Sequence, residues 1–238
     1  MKGVKARRGR WLMLLALTAL ASGIAVIIIA IAGQQHAASP SPSAWGTIPG
    51  ADSPVPSASA TEPGMTKPGT TRPLEPRQPA PLRASEPVRI SIPAIGVNSV
   101  VFPIGKDQHG GLQAPQPGPN LNNVGWYKYS PTPGQTGPAV LEGHVDTVQG
   151  PSVFLKLGAL RPGDKIRITR ADGSVVVFSV DAVRAYPTHD DFPTQLVYGG
   201  DLSEPTLRMI TCSNFDQNTG HYVGNTIVFA HLTSSSPA

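Results

Sequence analysis

Apolar and polar residues alternate with period two from about Pro87 onward, a pattern that predicts strands rather than helices. Val88-Arg89-Ile90-Ser91-Ile92 opens it, and Val97 to Phe102 reads as a second strand. The apolar run Pro138 to Gly143 predicts a third. Lys165 to Arg170 alternates cleanly, Ala171-Asp172-Gly173-Ser174 is a hairpin turn signal, and Val175 to Val180 returns and extends toward Tyr186. Thr206 to Cys212 and Thr226 to Ala230 supply the last two strands. Helical signals are short, at Ser152 to Leu157 and Phe192 to Tyr198. Many short strands, Pro/Gly-rich turns and little helix predict a mainly β fold, a small closed barrel or sandwich.

Upstream the texture changes twice. Trp11 to Ala32 carries no charge and is mostly Leu, Ala, Ile and Val. At about 1.5 Å of rise per residue it is long enough to cross a hydrocarbon core about 30 Å thick. Lys2, Lys5, Arg7, Arg8 and Arg10 precede it and should stay cytoplasmic, which places everything after Gly33 outside the membrane. A cleaved signal peptide, with Ala37-Ala38 near the cut, is the rival reading; its apolar core would exceed the usual roughly 7–15 residues. Gln34 to Glu86 is Pro, Ser, Ala, Thr and Gly with few large apolar residues. Such a segment buries too little surface to offset its ordering entropy, so it is expected to be a disordered or extended spacer. The expected organisation is a basic tail over 1–10, a transmembrane anchor over 11–33, a disordered linker over 34–86, one folded domain over 87–233 and a disordered tail over 234–238.

The net charge of +4 owes much to the N-terminal basic cluster, and no basic stripe marks the folded part, so nucleic-acid binding is not expected. The six histidines are scattered without ligand-like spacing, and there is no phosphate loop or dinucleotide fingerprint. Neither a metal nor a cofactor is expected.

Cys212 is the one cysteine of the chain, so an internal disulfide is excluded. A buried, inert thiol is the bland reading. Alternation puts Arg208, Ile210 and Cys212 on one strand face, with Cys212 expected at the strand's end before the loop Ser213-Asn214-Phe215-Asp216. A thiol there can be both fixed and reachable, and a nearby histidine would lower its pKa and later protonate a leaving amine. His144, at the end of another predicted strand and preceded by Gly143, is the candidate partner; Asp146 is a candidate orienter of its ring. Arg208 and His221 are candidates for stabilising an oxyanion or substrate.

Leu141-Glu142-Gly143-His144-Val145-Asp146 and Leu207-Arg208-Met209-Ile210-Thr211-Cys212 resemble the histidine and cysteine motifs of sortases. Gly150 to Phe154, Leu160 to Asp164, Phe192-Pro193-Thr194 and Thr219 to Asn225 are similar to the corresponding regions of class F sortases of actinobacteria. The resemblance implies an eight-stranded β-barrel and a Cys-His-Arg site with Cys212 and His144 in the first two roles. It also implies attack on an LPXTG-like sorting signal, a thioacyl enzyme, and resolution by an amine from a cell-wall precursor or pilin. The family arginine is expected shortly before the residues matching Tyr222 and Asn225, where this chain has Gly220-His221. His221, Arg208 or backbone N–H groups near Cys212 are the possible substitutes, and the sequence leaves that choice open. Two other readings stand beside the enzyme: a non-catalytic wall-associated β-domain binding peptide or glycan, and an intermolecular disulfide through Cys212.

Overall fold

The computed structural model describes residues 37, 39–48, 79–199 and 202–238. Its strands in chain order are β1 (Pro87–Ile92), β2 (Val97–Ile104), β3 (Val124–Tyr127), β4 (Gly137–Glu142), β5 (Asp146–Thr147), β6 (Gly150–Pro151), β7 (Lys165–Arg170), β8 (Val175–Tyr186), β9 (Pro205–Asp216) and β10 (His221–Ser236). Eight close a barrel in the order β1-β2-β3-β4-β9-β10-β8-β7, while β5 and β6 form a separate two-stranded ribbon. The expected mainly β, eight-stranded architecture is therefore observed. Two ladders are parallel, β2 with β3 and β4 with β9; the other ladders are antiparallel.

Alternation sorts the side chains as the period of two requires. Leu207 and Met209 of β9 join Ile90, Ile92, Ile166, Ile168 and Phe178 in the main core. Ile210 faces the opposite side with Val140, Ala182, Ile227 and Phe229, where it meets Val197 of the short helix α1 (Thr194–Tyr198). This second apolar cluster fixes α1 against the sheet and so shapes one wall of the site below.

Three details depart from the sequence reading. Strand β9 runs through Cys212 to Asp216 instead of ending at the cysteine, because Ser213 to Asp216 pair with β10 rather than forming a loop. Strand β10 likewise continues past Ala230, pairing with β8 as far as Ser236, so it takes in residues 234–236 of the expected disordered tail. Strand β3 was not expected: only four residues long, it is too short to display periodicity and owes its conformation to β2 and β4 on either side.

Of the expected linker, residues 37, 39–48 and 79–86 are described, and the two longer stretches pack on the barrel. Ala44 is fully buried, and Arg184 Nη2 donates to the Gly46 carbonyl at 2.6 Å. Leu82 N donates to the Gly134 carbonyl, and the buried guanidinium of Arg170 donates to the carbonyls of Arg83 and Ser85. The rest of that linker, and the expected basic tail and anchor over 1–33, lie outside the described residues. Among the described residues no helix is long and apolar enough to cross a membrane.

Candidate active site

Strand β4, which leads into the candidate histidine, pairs in parallel with β9, which carries the candidate thiol. The ladder matches Leu141 with Met209 and Glu142 with Ile210. Two contacts carry the alignment one step further: Gly143 N donates to the Ile210 carbonyl at 3.2 Å, and Thr211 Oγ1 donates to the Gly143 carbonyl at 2.8 Å. His144 follows directly, past the end of β4, while Cys212 follows Thr211 on β9; the ladder itself stops at Glu142 and Ile210. Gly143 is required at this junction: a Cβ there would sit 2.7 Å from Val153 Cγ1 and 2.8 Å from Phe154 Cδ2. The same strand keeps pairing with β10 beyond the point where β4 leaves it, so Cys212 is held on one side and open on the other.

His144 Nε2 lies 2.7 Å from the Pro115 carbonyl oxygen, which can only accept, so the ring donates through Nε2 and Nδ1 is its free nitrogen. No hydrogen bond joins the ring to Cys212. Asp146 does not orient the ring; its Oδ2 accepts from the Tyr222 hydroxyl at 2.7 Å.

Cys212 is half-buried in the wall of a cleft of about 920 Å³, together with Glu142, Ile210, Tyr198, His189 and Asn225. One flank comes from α1 and the turn before it, the other from the loop between β2 and β3, through Lys106 to Leu112. Burial pushes the thiol up to about 11, and the nearby carboxyls of Glu142 and Asp146 add to that. The resting thiol is therefore protonated, contrary to the depressed pKa that an adjacent histidine suggests from sequence. Glu142 is itself pushed up to about 8, first by burial and then by Asp107. Its Oε2 is enclosed without a hydrogen-bond partner.

The two sequence candidates for an oxyanion donor are elsewhere. Arg208 shares the face of Cys212, but its Nε donates to the Leu196 carbonyl at 3.1 Å and its Nη1 to the Leu207 carbonyl at 3.1 Å. Its guanidinium carbon lies 4.9 Å from the centroid of the Phe229 ring. Burial lowers its pKa to about 10, and its role is to tie α1 to the sheet. His221 is exposed at the start of β10, opposite Asp216 and away from the cleft. What lies opposite the thiol is Asn225, a residue the sequence offered only as part of a motif. Counting the ladder back from the β9–β10 turn would have found it, had β9 been extended past the cysteine. Among the described residues no cluster of His, Cys, Asp and Glu is arranged to hold a metal ion.

The family model described as a sortase domain matches residues 90–233, the barrel almost entire. No curated protein matches the chain. Solved structures similar to it include sortase A from Corynebacterium diphtheriae, 22% identical over 66% of this chain and 62% of that one, with a TM-score of 0.48. Sortase A from Listeria monocytogenes is 16% identical over 66% of this chain and 92% of that one, with a TM-score of 0.47. A sortase D5 transpeptidase from Clostridium perfringens is 25% identical over 63% and 79% respectively, with a TM-score of 0.46.

Proposed function

The chain belongs to the sortase family, and from that premise we propose that it is a cysteine transpeptidase, most like class F, with Cys212 as nucleophile and His144 as its acid/base partner. The substrate is the C-terminal LPXTG-like sorting signal of an exported protein. Sγ adds to the carbonyl carbon of the scissile bond as the thiol proton passes to His144. The tetrahedral intermediate collapses with cleavage of the C–N bond, and His144 returns the proton to the leaving amine. An amine from a peptidoglycan precursor or a pilin then attacks the thioacyl enzyme and frees Cys212. The apolar segment over 11–33 holds the enzyme in the membrane with its barrel on the extracytoplasmic side.

The observation that carries this reading is the half-buried thiol in the cleft wall, on a strand paired in parallel with the one that leads into His144. The absence of a ring–thiol hydrogen bond is compatible with it, because such contacts often tighten only when substrate is bound. Burial holds the resting thiol protonated, so the step needs His144 to take the proton as the Sγ–C bond forms. A peptide- or glycan-binding domain without chemistry is the rival, supported by the lack of a guanidinium on the cleft wall among the described residues. Mass spectrometry of the protein after incubation with LPXTG-type peptides decides between them. A thioester on Cys212, absent in Cys212→Ala, is expected; peptide turnover by Cys212→Ala would end the proposal.

A further inference from the structure

Acyl transfer at Cys212 needs a preorganised donor aimed at the oxygen that becomes negative when sulfur adds to the carbonyl. Arg208 is occupied beneath α1, and His221 is outside the cleft. Asn225 is in the right place. It is the direct cross-strand partner of Cys212 in the antiparallel β9–β10 ladder, and both line the cleft. Paired residues in such a ladder point to the same face, with Cβ atoms about 4.5–5.5 Å apart.

We propose that the side-chain amide of Asn225 donates the hydrogen bond that stabilises the oxyanion, and that His189 is a positioning residue that holds this amide in orientation. The proposal rests on the reading of Cys212 as an acyl-accepting nucleophile.

His189 Nδ1 lies 3.1 Å from Asn225 Oδ1, and its Nε2 lies 3.2 Å from the Tyr222 carbonyl oxygen. With a proton on each ring nitrogen, Nε2–H donates to the Tyr222 carbonyl and Nδ1–H to Oδ1, and the amide presents its NH2 end to the remaining space. Nδ2 has no hydrogen-bond partner among the described residues, so a donor is left over beside the thiol. The turn that carries His189 is built for the purpose. Thr188 Oγ1 donates to Asp191 Oδ2 at 2.8 Å, and the Asp191 side chain also accepts from Thr188 N at 3.3 Å, closing a capping box around His189. Asn214 Nδ2 donates to the Pro187 carbonyl at 2.8 Å, pinning the turn to β9 just beyond Cys212. Gly224 lets β10 pass against the same turn, since a Cβ there would fall 2.3 Å from the Tyr186 carbonyl oxygen and 2.7 Å from that of Pro187.

The chemistry balances without a proton from Asn225. As the Sγ–C bond forms, the carbonyl π pair moves to oxygen, and the amide N–H holds that charge. When the pair returns, the C–N bond breaks and the leaving amine takes the proton held by His144. A neutral amide gives less charge stabilisation than a guanidinium, but it sits on a strand with two backbone ladders fixing it.

The test compares two reagents on the full chain. p-Nitrophenyl acetate acylates the thiol through a tetrahedral oxyanion, whereas iodoacetamide alkylates the same sulfur by displacement without one. Asn225→Ala is expected to slow acetylation of Cys212 by roughly 100–1,000-fold, the order seen on removing an oxyanion donor, with alkylation changed far less. Asn225→Asp keeps the shape and removes the N–H donors, so its acetylation-to-alkylation ratio should fall similarly. His189→Ala should lower the ratio several-fold, and His189→Gln, which retains a donor for Oδ1, should restore most of it. Equal ratios in wild type, Asn225→Ala and Asn225→Asp would overturn the proposal while leaving the nucleophile intact. If wild-type Cys212 is alkylated but never acetylated, the nucleophile reading itself falls and this proposal falls with it.

Discussion

Replacing Glu142 with glutamine should make the protein markedly less sensitive to rising pH. The carboxyl is pushed from its ordinary 4.5 up to about 8, and one oxygen is enclosed without a partner. Below pH 4.5 the folded and unfolded chains both carry the proton, so the shift contributes nothing to stability. Between that value and pH 8 the unfolded chain releases a proton that the folded chain retains. Stability therefore falls across this window and levels off above it. At about 1.4 kcal/mol per tenfold change in proton affinity, the displacement corresponds to an upper bound of about 5 kcal/mol. The side chain as a whole is only half-buried on an open cleft, where water tempers the penalty, so the expected loss is about 2–4 kcal/mol. Glutamine is neutral in both states and removes this dependence. Urea titrations followed by far-UV circular dichroism should give unfolding free energies for the two proteins within about 1 kcal/mol at pH 4.5, and a Glu142→Gln advantage of about 2–4 kcal/mol at pH 8.5. Parallel pH dependences in the two proteins would refute the reasoning, since any other titrating group acts on both and cancels.

Further outcomes follow from the same site and its supports. With the thiol pushed up to about 11, roughly one molecule in ten thousand is a thiolate at pH 7; iodoacetamide alkylation should rise about tenfold per pH unit from 7 to 10, and a plateau below pH 8 would contradict burial as the dominant cause. Arg208→Met should cost about 2–4 kcal/mol in urea titrations, because it strands the Leu196 carbonyl that anchors α1, and should weaken peptide binding more than turnover; a neutral effect on both would show that α1 needs no such tie. His231 Nδ1 lies 2.5 Å from Asp181 Oδ1, and that hydrogen bond raises the histidine's pKa above its ordinary 6.5. Its contribution is fully present below about pH 6.5 and is lost as pH rises through the raised value; Asp181→Asn should remove this component, measured as a smaller stability change between pH 5.5 and 9.

The parts of this architecture that the sequence made legible are those in which local pattern and tertiary demand agree. β7 is the clearest: Lys165 to Arg170 alternates because one face is core and the other solvent, and its turn is written in Asp172-Gly173. β3 is the opposite case. Val124–Tyr127 is nearly all buried, so no alternation survives, and neighbours on both sides impose the extended conformation. The ends of β9 and β10 were hidden for a related reason. Ser213 to Asp216 is polar apart from the exposed Phe215, Ser234 to Ser236 is polar throughout, and such residues at a sheet's margin pair through backbone groups that carry no sequence signature.

That misplaced boundary governed what could be read of the site. With β9 ending at Cys212, the thiol is the last residue of a strand, and the oxyanion candidates come from its own strand or from just past the next loop, as Arg208 and His221 do. With β9 extended to Asp216, the hairpin register becomes countable, and counting from the turn puts Asn225 beside the sulfur. His189 was beyond any such count, because it reaches the cleft from a turn after β8 whose position depends on Gly224 having no side chain. A residue's chemistry is written in its letter, but its address depends on where pairing stops. Here the arginine's guanidinium was spent beneath α1, and the residue across the ladder from the thiol carries an amide.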